Sequence, residues 1–84
     1  MMGINENSYI DYSYSPNPTN GIVTINSKDI ISNLMIYNAQ GRLLYTNEIN
    51  NMVTQVDISS FSTGTYFFKM VVNDKTVNFK IVKL

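Results

Sequence analysis

Apolar and polar residues alternate along this chain in short runs, and each run stops at a turn rich in glycine, proline or asparagine. The period is two, so successive side chains project to opposite faces of extended segments; no stretch sustains a helical period. Seven segments fit: 8–14, 22–26, 30–37, 42–49, 52–58, 65–72 and 75–84. The first sets Ile10, Tyr12 and Tyr14 against Tyr9, Asp11 and Ser13. Pro16 and Pro18 end it, because neither has an amide donor and both hold φ fixed. Gly21 is expected to supply a positive φ as the chain turns into the second strand, where Val23 and Ile25 share a face. Lys28-Asp29 reads as a polar break. Leu34 and Ile36 then oppose Met35 and Tyr37, two apolar faces that predict a central strand. Asn38-Ala39-Gln40-Gly41 reads as a hairpin loop, with Asn38 capping it and Gly41 left-handed. Asn50-Asn51 and Asn73-Asp74 read as further turns, and Ser59 to Thr63 as a polar corner whose Phe61 plugs the core.

Seven short strands with turn signals at intervals of about 8–12 residues predict an all-β fold. The architecture expected is an antiparallel β-sandwich of about seven strands, immunoglobulin-like or fibronectin-III-like. Its inner faces would be Val23, Ile25, Leu34, Ile36, Leu43, Val56, Ile58, Tyr66, Phe68, Met70, Val77, Phe79 and Ile81, while Asn78, Lys80 and Lys83 face water.

Composition narrows the chemistry. The 84 residues, 44% hydrophobic, suffice for one core and leave no room for a second domain. Cysteine and histidine are both absent, which removes disulfides, thiol nucleophiles, imidazole bases and the commonest zinc ligands together. No cofactor or metal is expected. The carboxylates nearest to serving acid–base chemistry, Asp57 and Asp74, sit in turns, where capping or solvated aspartates are the ordinary finding, so no enzyme is expected. Net charge is zero, without the basic footprint that a nucleic acid requires. From Lys69 onward, however, Lys69, Lys75, Lys80 and Lys83 face a single acid, Asp74. Such lysines keep an exposed edge soluble or attract an anionic partner. No run of apolar residues reaches the roughly 20 needed for a spanning helix, so no membrane insertion is expected. The first residues also lack a signal-peptide core, and Met1-Met2-Gly3 reads as an initiation sequence added to an excised segment.

Four motifs stand in order: Pro16-Asn17-Pro18-Thr19-Asn20-Gly21, Ile36-Tyr37-Asn38-Ala39-Gln40-Gly41-Arg42, Asp57-Ile58-Ser59-Ser60-Phe61-Ser62-Thr63-Gly64-Thr65-Tyr66, and the closing Phe79-Lys80-Ile81-Val82-Lys83-Leu84. Within the third, Tyr66 matches the corner tyrosine of immunoglobulin-type domains, whose hydroxyl ties down the preceding loop. Taken together, the motifs resemble the C-terminal sorting domain of the type IX secretion system, in its shorter type A (Por secretion system) form, from about Tyr12 to Leu84. On that resemblance residues 1–11 are a linker remnant with the start of the first strand, and 12–84 the sorting domain. Many members carry a tyrosine directly before Pro-Asn-Pro; here Ser15 stands there and Tyr14 one place earlier.

The resemblance implies an address rather than an activity. Members are cargo proteins of Bacteroidota, exported to the periplasm and then carried by an outer-membrane translocon to the cell surface or the medium. A sortase-like peptidase commonly removes the domain, cutting upstream of it. The cargo would lie N-terminal to this segment. The residues expected to carry recognition are Pro16, Asn17, Pro18, Gly21, Asn38, Gly41, Gly64, Tyr66, Lys80 and Lys83. Pro16, Pro18 and Gly21 would form a stiff loop, and the last strand, at a sheet edge, would accept a partner strand with Lys80 and Lys83 setting charge preference. The alternative is a fibronectin-like accessory module binding carbohydrate or protein, for which Tyr9, Tyr12, Tyr14 and Tyr45 would have to form an exposed aromatic cluster.

Overall fold

The computed structural model describes residues 10–84. Ser8 and Tyr9 of the predicted first strand, and most of the predicted linker remnant, lie outside them. Five strands follow in order: β1 (Tyr12–Ser15), β2 (Ile22–Tyr37), β3 (Leu43–Asp57), β4 (Gly64–Val72) and β5 (Lys75–Lys83). All pair antiparallel in one curled sheet of order β1-β2-β4-β5, with β3 on the other side of β2.

The count of five corrects the expected seven. Lys28-Asp29 and Asn50-Asn51 do not end strands; they bend them. Pairing between β2 and β3 shifts register between Asn26 and Ile31 and again between Ile31 and Asn33, and Asn50 opposite this stretch has a φ of 53°. These bulges fold both long strands, so each contributes an arm to both layers, the device by which strands switch sheets at a corner. One layer holds β1 with the first arm of β2 and the last arm of β3. The other holds the remaining arms with β4 and β5. The two-residue turn at Asn73 and Asp74 has positive φ at both positions, 52° and 62°, the geometry that matches strand twist.

The core lies between the layers. Val23, Ile25, Leu34, Ile36, Val56, Ile58, Tyr66, Phe68, Met70, Val77, Phe79 and Ile81 are buried, as the alternation predicts, together with Ile31 and Val72. Leu43 is not among them; it is 48% exposed. Pairing shifts between Ile36 opposite Tyr45 and Tyr37 opposite Leu43, so the bulge at Leu44 turns Leu43 to the outer face with Tyr37. Ile31 is buried for the converse reason, since the bulge before Asn33 switches its parity relative to Leu34 and Ile36.

Aromatic rings join the layers. The Phe79 ring lies 4.2 Å from that of Tyr14, 5.8 Å from Tyr12 and 5.3 Å from Phe68, centroid to centroid. Burial, with the neighbouring Tyr14 phenol, raises the Tyr12 hydroxyl above the ordinary tyrosine value.

Candidate functional site

Because β2 is folded in its middle, both of its ends reach the same pole. Tyr37 pairs with Phe67, which pairs with Lys80, while Thr19, just before β2, bridges Lys83. Three loops and the end of β5 therefore meet there, although the motifs that form them are spread over most of the chain. The opposite pole carries the bend of β2, the Asn73-Asp74 turn and the start of the described chain, where the Lys28 amide donates to the Asp11 carbonyl at 3.0 Å.

The Pro-Asn-Pro loop is a latch on the last strand. The Asn17 side chain acts as a peptide group: its Nδ2 donates to the Lys80 carbonyl and its Oδ1 accepts from the Val82 amide, each at 2.9 Å. Two residues on, the Thr19 amide donates to the Val82 carbonyl and the Leu84 amide donates to the Thr19 carbonyl, again at 2.9 Å. Pro16 and Pro18, each after a cis bond, hold the exposed outer side of this loop. Thr19 is fully enclosed, and its hydroxyl donates to the Ile22 carbonyl and accepts from the Gly21 amide. Nothing in the sequence singles it out, because a threonine in a Pro-Asn-rich segment reads as a solvated turn residue.

Three expectations are corrected here. From the Lys80 carbonyl to the Leu84 amide the edge of β5 is not open to a partner strand: the Lys80 carbonyl, the Val82 amide and carbonyl and the Leu84 amide are already bonded to Asn17 and Thr19. Lys83 does not face water; it points inward and is 8% exposed, its Nζ donating to the Leu84 carbonyl oxygen at 3.0 Å. Lys80 does face water. Gly21 has no positive φ. What it supplies is space, since a Cβ there would stand 2.8 Å from the Ser59 Cβ.

The other two loops match their expected geometry. Asn38 Oδ1 accepts from the Gln40 and Arg42 amides at 3.0 and 2.9 Å, and the Gly41 amide donates to the Asn38 carbonyl. Gly41 has a φ of 85°, a left-handed position that few side chains besides asparagine and aspartate adopt. At the corner the Tyr66 hydroxyl donates to the Ser62 carbonyl at 2.6 Å, and Phe61 packs 5.1 Å from the Tyr66 ring. Gly64 opens β4 opposite Lys83. Asp57 accepts from the Ser59 amide at 2.9 Å, and its hydrogen bonds to Ser59 hold its carboxyl below the ordinary aspartate value. Among the described residues no group of acidic side chains is placed to hold a metal ion, and no helix is long and apolar enough to cross a membrane.

Among the described residues an exposed aromatic platform is not assembled. Tyr14 stacks on Phe79, the Tyr12 ring tilts against the same ring, and Tyr45 packs against the core. Tyr9 lies outside the described residues.

A folded sheet with strand-switching corners and a tyrosine-tied corner loop defines an immunoglobulin-like β-sandwich. A DUF3244 family protein of that fold from Bacteroides vulgatus superposes with a TM-score of 0.59 at 16% identity, covering 84% of this chain and 94% of that one. No curated protein matches. The family follows from the motifs and their order: the chain belongs to the secretion system C-terminal sorting domain family, whose model matches residues 13–84. It is a C-terminal sorting signal for type IX secretion. That role implies export to the cell surface or extracellular space, engagement of the type IX machinery, and a cargo N-terminal to the domain.

Proposed function

We propose that this domain acts as a folded address with no chemistry of its own, and that its motif pole is what the outer-membrane translocon reads. The observation that carries this is the convergence of all four motifs on one end of the molecule, away from the end where the chain from an N-terminal cargo arrives. Cargo would pass through the periplasm before translocation, and a sortase-like peptidase would remove the domain upstream of β1. Recognition residues are Asn17, Pro16 and Pro18 in the latch, Asn38 and Gly41 in the hairpin, Gly64 and Tyr66 at the corner, and Lys80 beside the latch. Gly21 and Lys83 support the pole from inside. The proposal favours a shaped surface over an extended tail because the latch fixes the last strand before any partner arrives, which lowers the ordering cost of binding.

The test is a fluorescent cargo fused ahead of residue 10, behind a signal peptide, in a bacterium with an intact type IX system and in a translocon-deficient strain. Surface or medium fluorescence only in the intact strain is the expected result. Asn17→Ala should reduce export in the intact strain while the domain remains folded. Retention of the wild-type fusion in the periplasm of both strains, with native substrates exported normally, would reject the reading.

A further inference from the structure

A groove runs between the hairpin loop at 38–41 and the corner at 59–64. Two adjoining depressions of about 340 and 350 Å³ form it and share Asn38, Ser62 and Tyr66 as their common wall and floor. None of the described residues that line it is charged. At one end stand Gln40 and Thr63; at the other, exposed Leu44 and half-buried Phe61.

We propose that this groove docks an uncharged, extended polypeptide segment of the secretion machinery, read chiefly through its main chain. The inference rests on the sorting role and adds the site and the chemistry of its partner. Asn38 shows the logic most clearly. Its Oδ1, amide and carbonyl all serve the loop, whereas its Nδ2 has no partner among the described residues and remains to donate. The Ser60, Ser62 and Thr63 hydroxyls likewise make no hydrogen bond within the described protein and can donate or accept. Such groups suit peptide amides and carbonyls. A charged segment would lose hydration with no opposite charge in the groove to offset it. Leu44 and Phe61 offer one apolar end for a side chain.

A neutral saccharide shares some of this chemistry, but it needs an open aromatic face to stack on. The Phe61 ring is turned against Tyr66 at 5.1 Å and half-buried, so it offers no such face. Both walls are set before binding, by the Asn38 cap on one side and the Tyr66 to Ser62 bond on the other. The groove also lies at the pole opposite the start of the described chain.

The test uses the same signal-peptide fusion. A photoreactive benzoylphenylalanine is placed at Gln40 or Thr63 in the groove, and at exposed Met52 on the opposite pole as control. Adducts are mapped by mass spectrometry to the residues they join. Expected are adducts from Gln40 and Thr63, absent from Met52, to a stretch of a type IX machinery protein with no charged residue. Adducts only from Met52, or adducts to a glycan or to a charged stretch, would overturn the proposal. Thr63→Arg and Gln40→Arg, both at exposed positions, should lower export at least tenfold with unchanged thermal midpoint, while Thr76→Arg on the outer face of β5 leaves export intact. If the arginine variants export like wild type, the groove is not the site although the sorting role stands. If the wild-type fusion shows no translocon dependence, the sorting role fails and the groove proposal with it.

Discussion

At the scale of single residues, several side chains of this domain substitute for backbone. Asn17 imitates a peptide group against β5, Asn38 caps its loop, and Asp57 accepts the Ser59 amide. Asp57 makes stability depend on pH in a definite direction. Its carboxyl is held below the unfolded value, so the stabilisation is complete above the ordinary aspartate range and disappears as pH falls through the lowered folded value. Asp57→Asn should flatten that acid limb in denaturant titrations run at successive pH values. Tyr66→Phe removes the bond to Ser62 and should cost about 1 kcal/mol by urea denaturation, the ordinary net worth of one hydrogen bond, since Ser62 is an exposed residue. Gly21→Ala should cost about 1–3 kcal/mol by overpacking, because the added carbon meets the Ser59 Cβ at 2.8 Å. Ser59→Gly in the same chain should recover part of that loss. Strict additivity of the two changes would mean that the contact is not what excludes a side chain at position 21.

At the scale of elements, alternation was legible wherever pairing is regular. β4 and β5 pair without a shift from Gly64 opposite Lys83 to Val72 opposite Lys75, and their inward residues are those the period predicts. Phe68 is central to them, fully buried and 5.3 Å from Phe79, so Phe68→Ala should lower stability by about 3–5 kcal/mol in equilibrium denaturation. Legibility failed at the bulges. One extra residue reverses every face beyond it, and no residue type near Leu44 or Ser32 announces it. Alternation therefore puts Leu43 inside and passes over Ile31. Lys28-Asp29 and Asn50-Asn51 have the composition of turns, yet β2 and β3 remain paired on either side of them and the chain bends without breaking. The hairpin and corner loops fared better, because Asn38, Gly41 and Tyr66 act within their own few residues.

At the scale of the molecule, the last strand is a structural keystone as well as part of the motif pole. Residues 80–84 pair with the start of β4, supply the buried Ile81, and bind Asn17 and Thr19 across the other edge. Deleting them exposes both sides of the pole at once. The truncated chain should therefore lose its cooperative thermal transition by circular dichroism, and a failure of export would then report unfolding. Point changes such as Asn17→Ala keep the fold and separate the two effects. A truncated domain that still melts cooperatively near the wild-type midpoint would contradict the keystone role.

The sequence by itself determined the all-β class, most of the core, the local geometry of the hairpin and corner loops, and through four ordered motifs the sorting family. Each of these depends on interactions within a strand, a turn or a short motif, where spacing along the chain is spacing in space. Only the tertiary structure decided that two strands fold over to serve both layers, that Gly21 yields to Ser59, and that Asn17 and Thr19 close the edge of β5. Those facts depend on contacts between residues up to 65 positions apart. Neither period nor turn chemistry encodes such contacts, because they exist only once the curled sheet has brought its ends together.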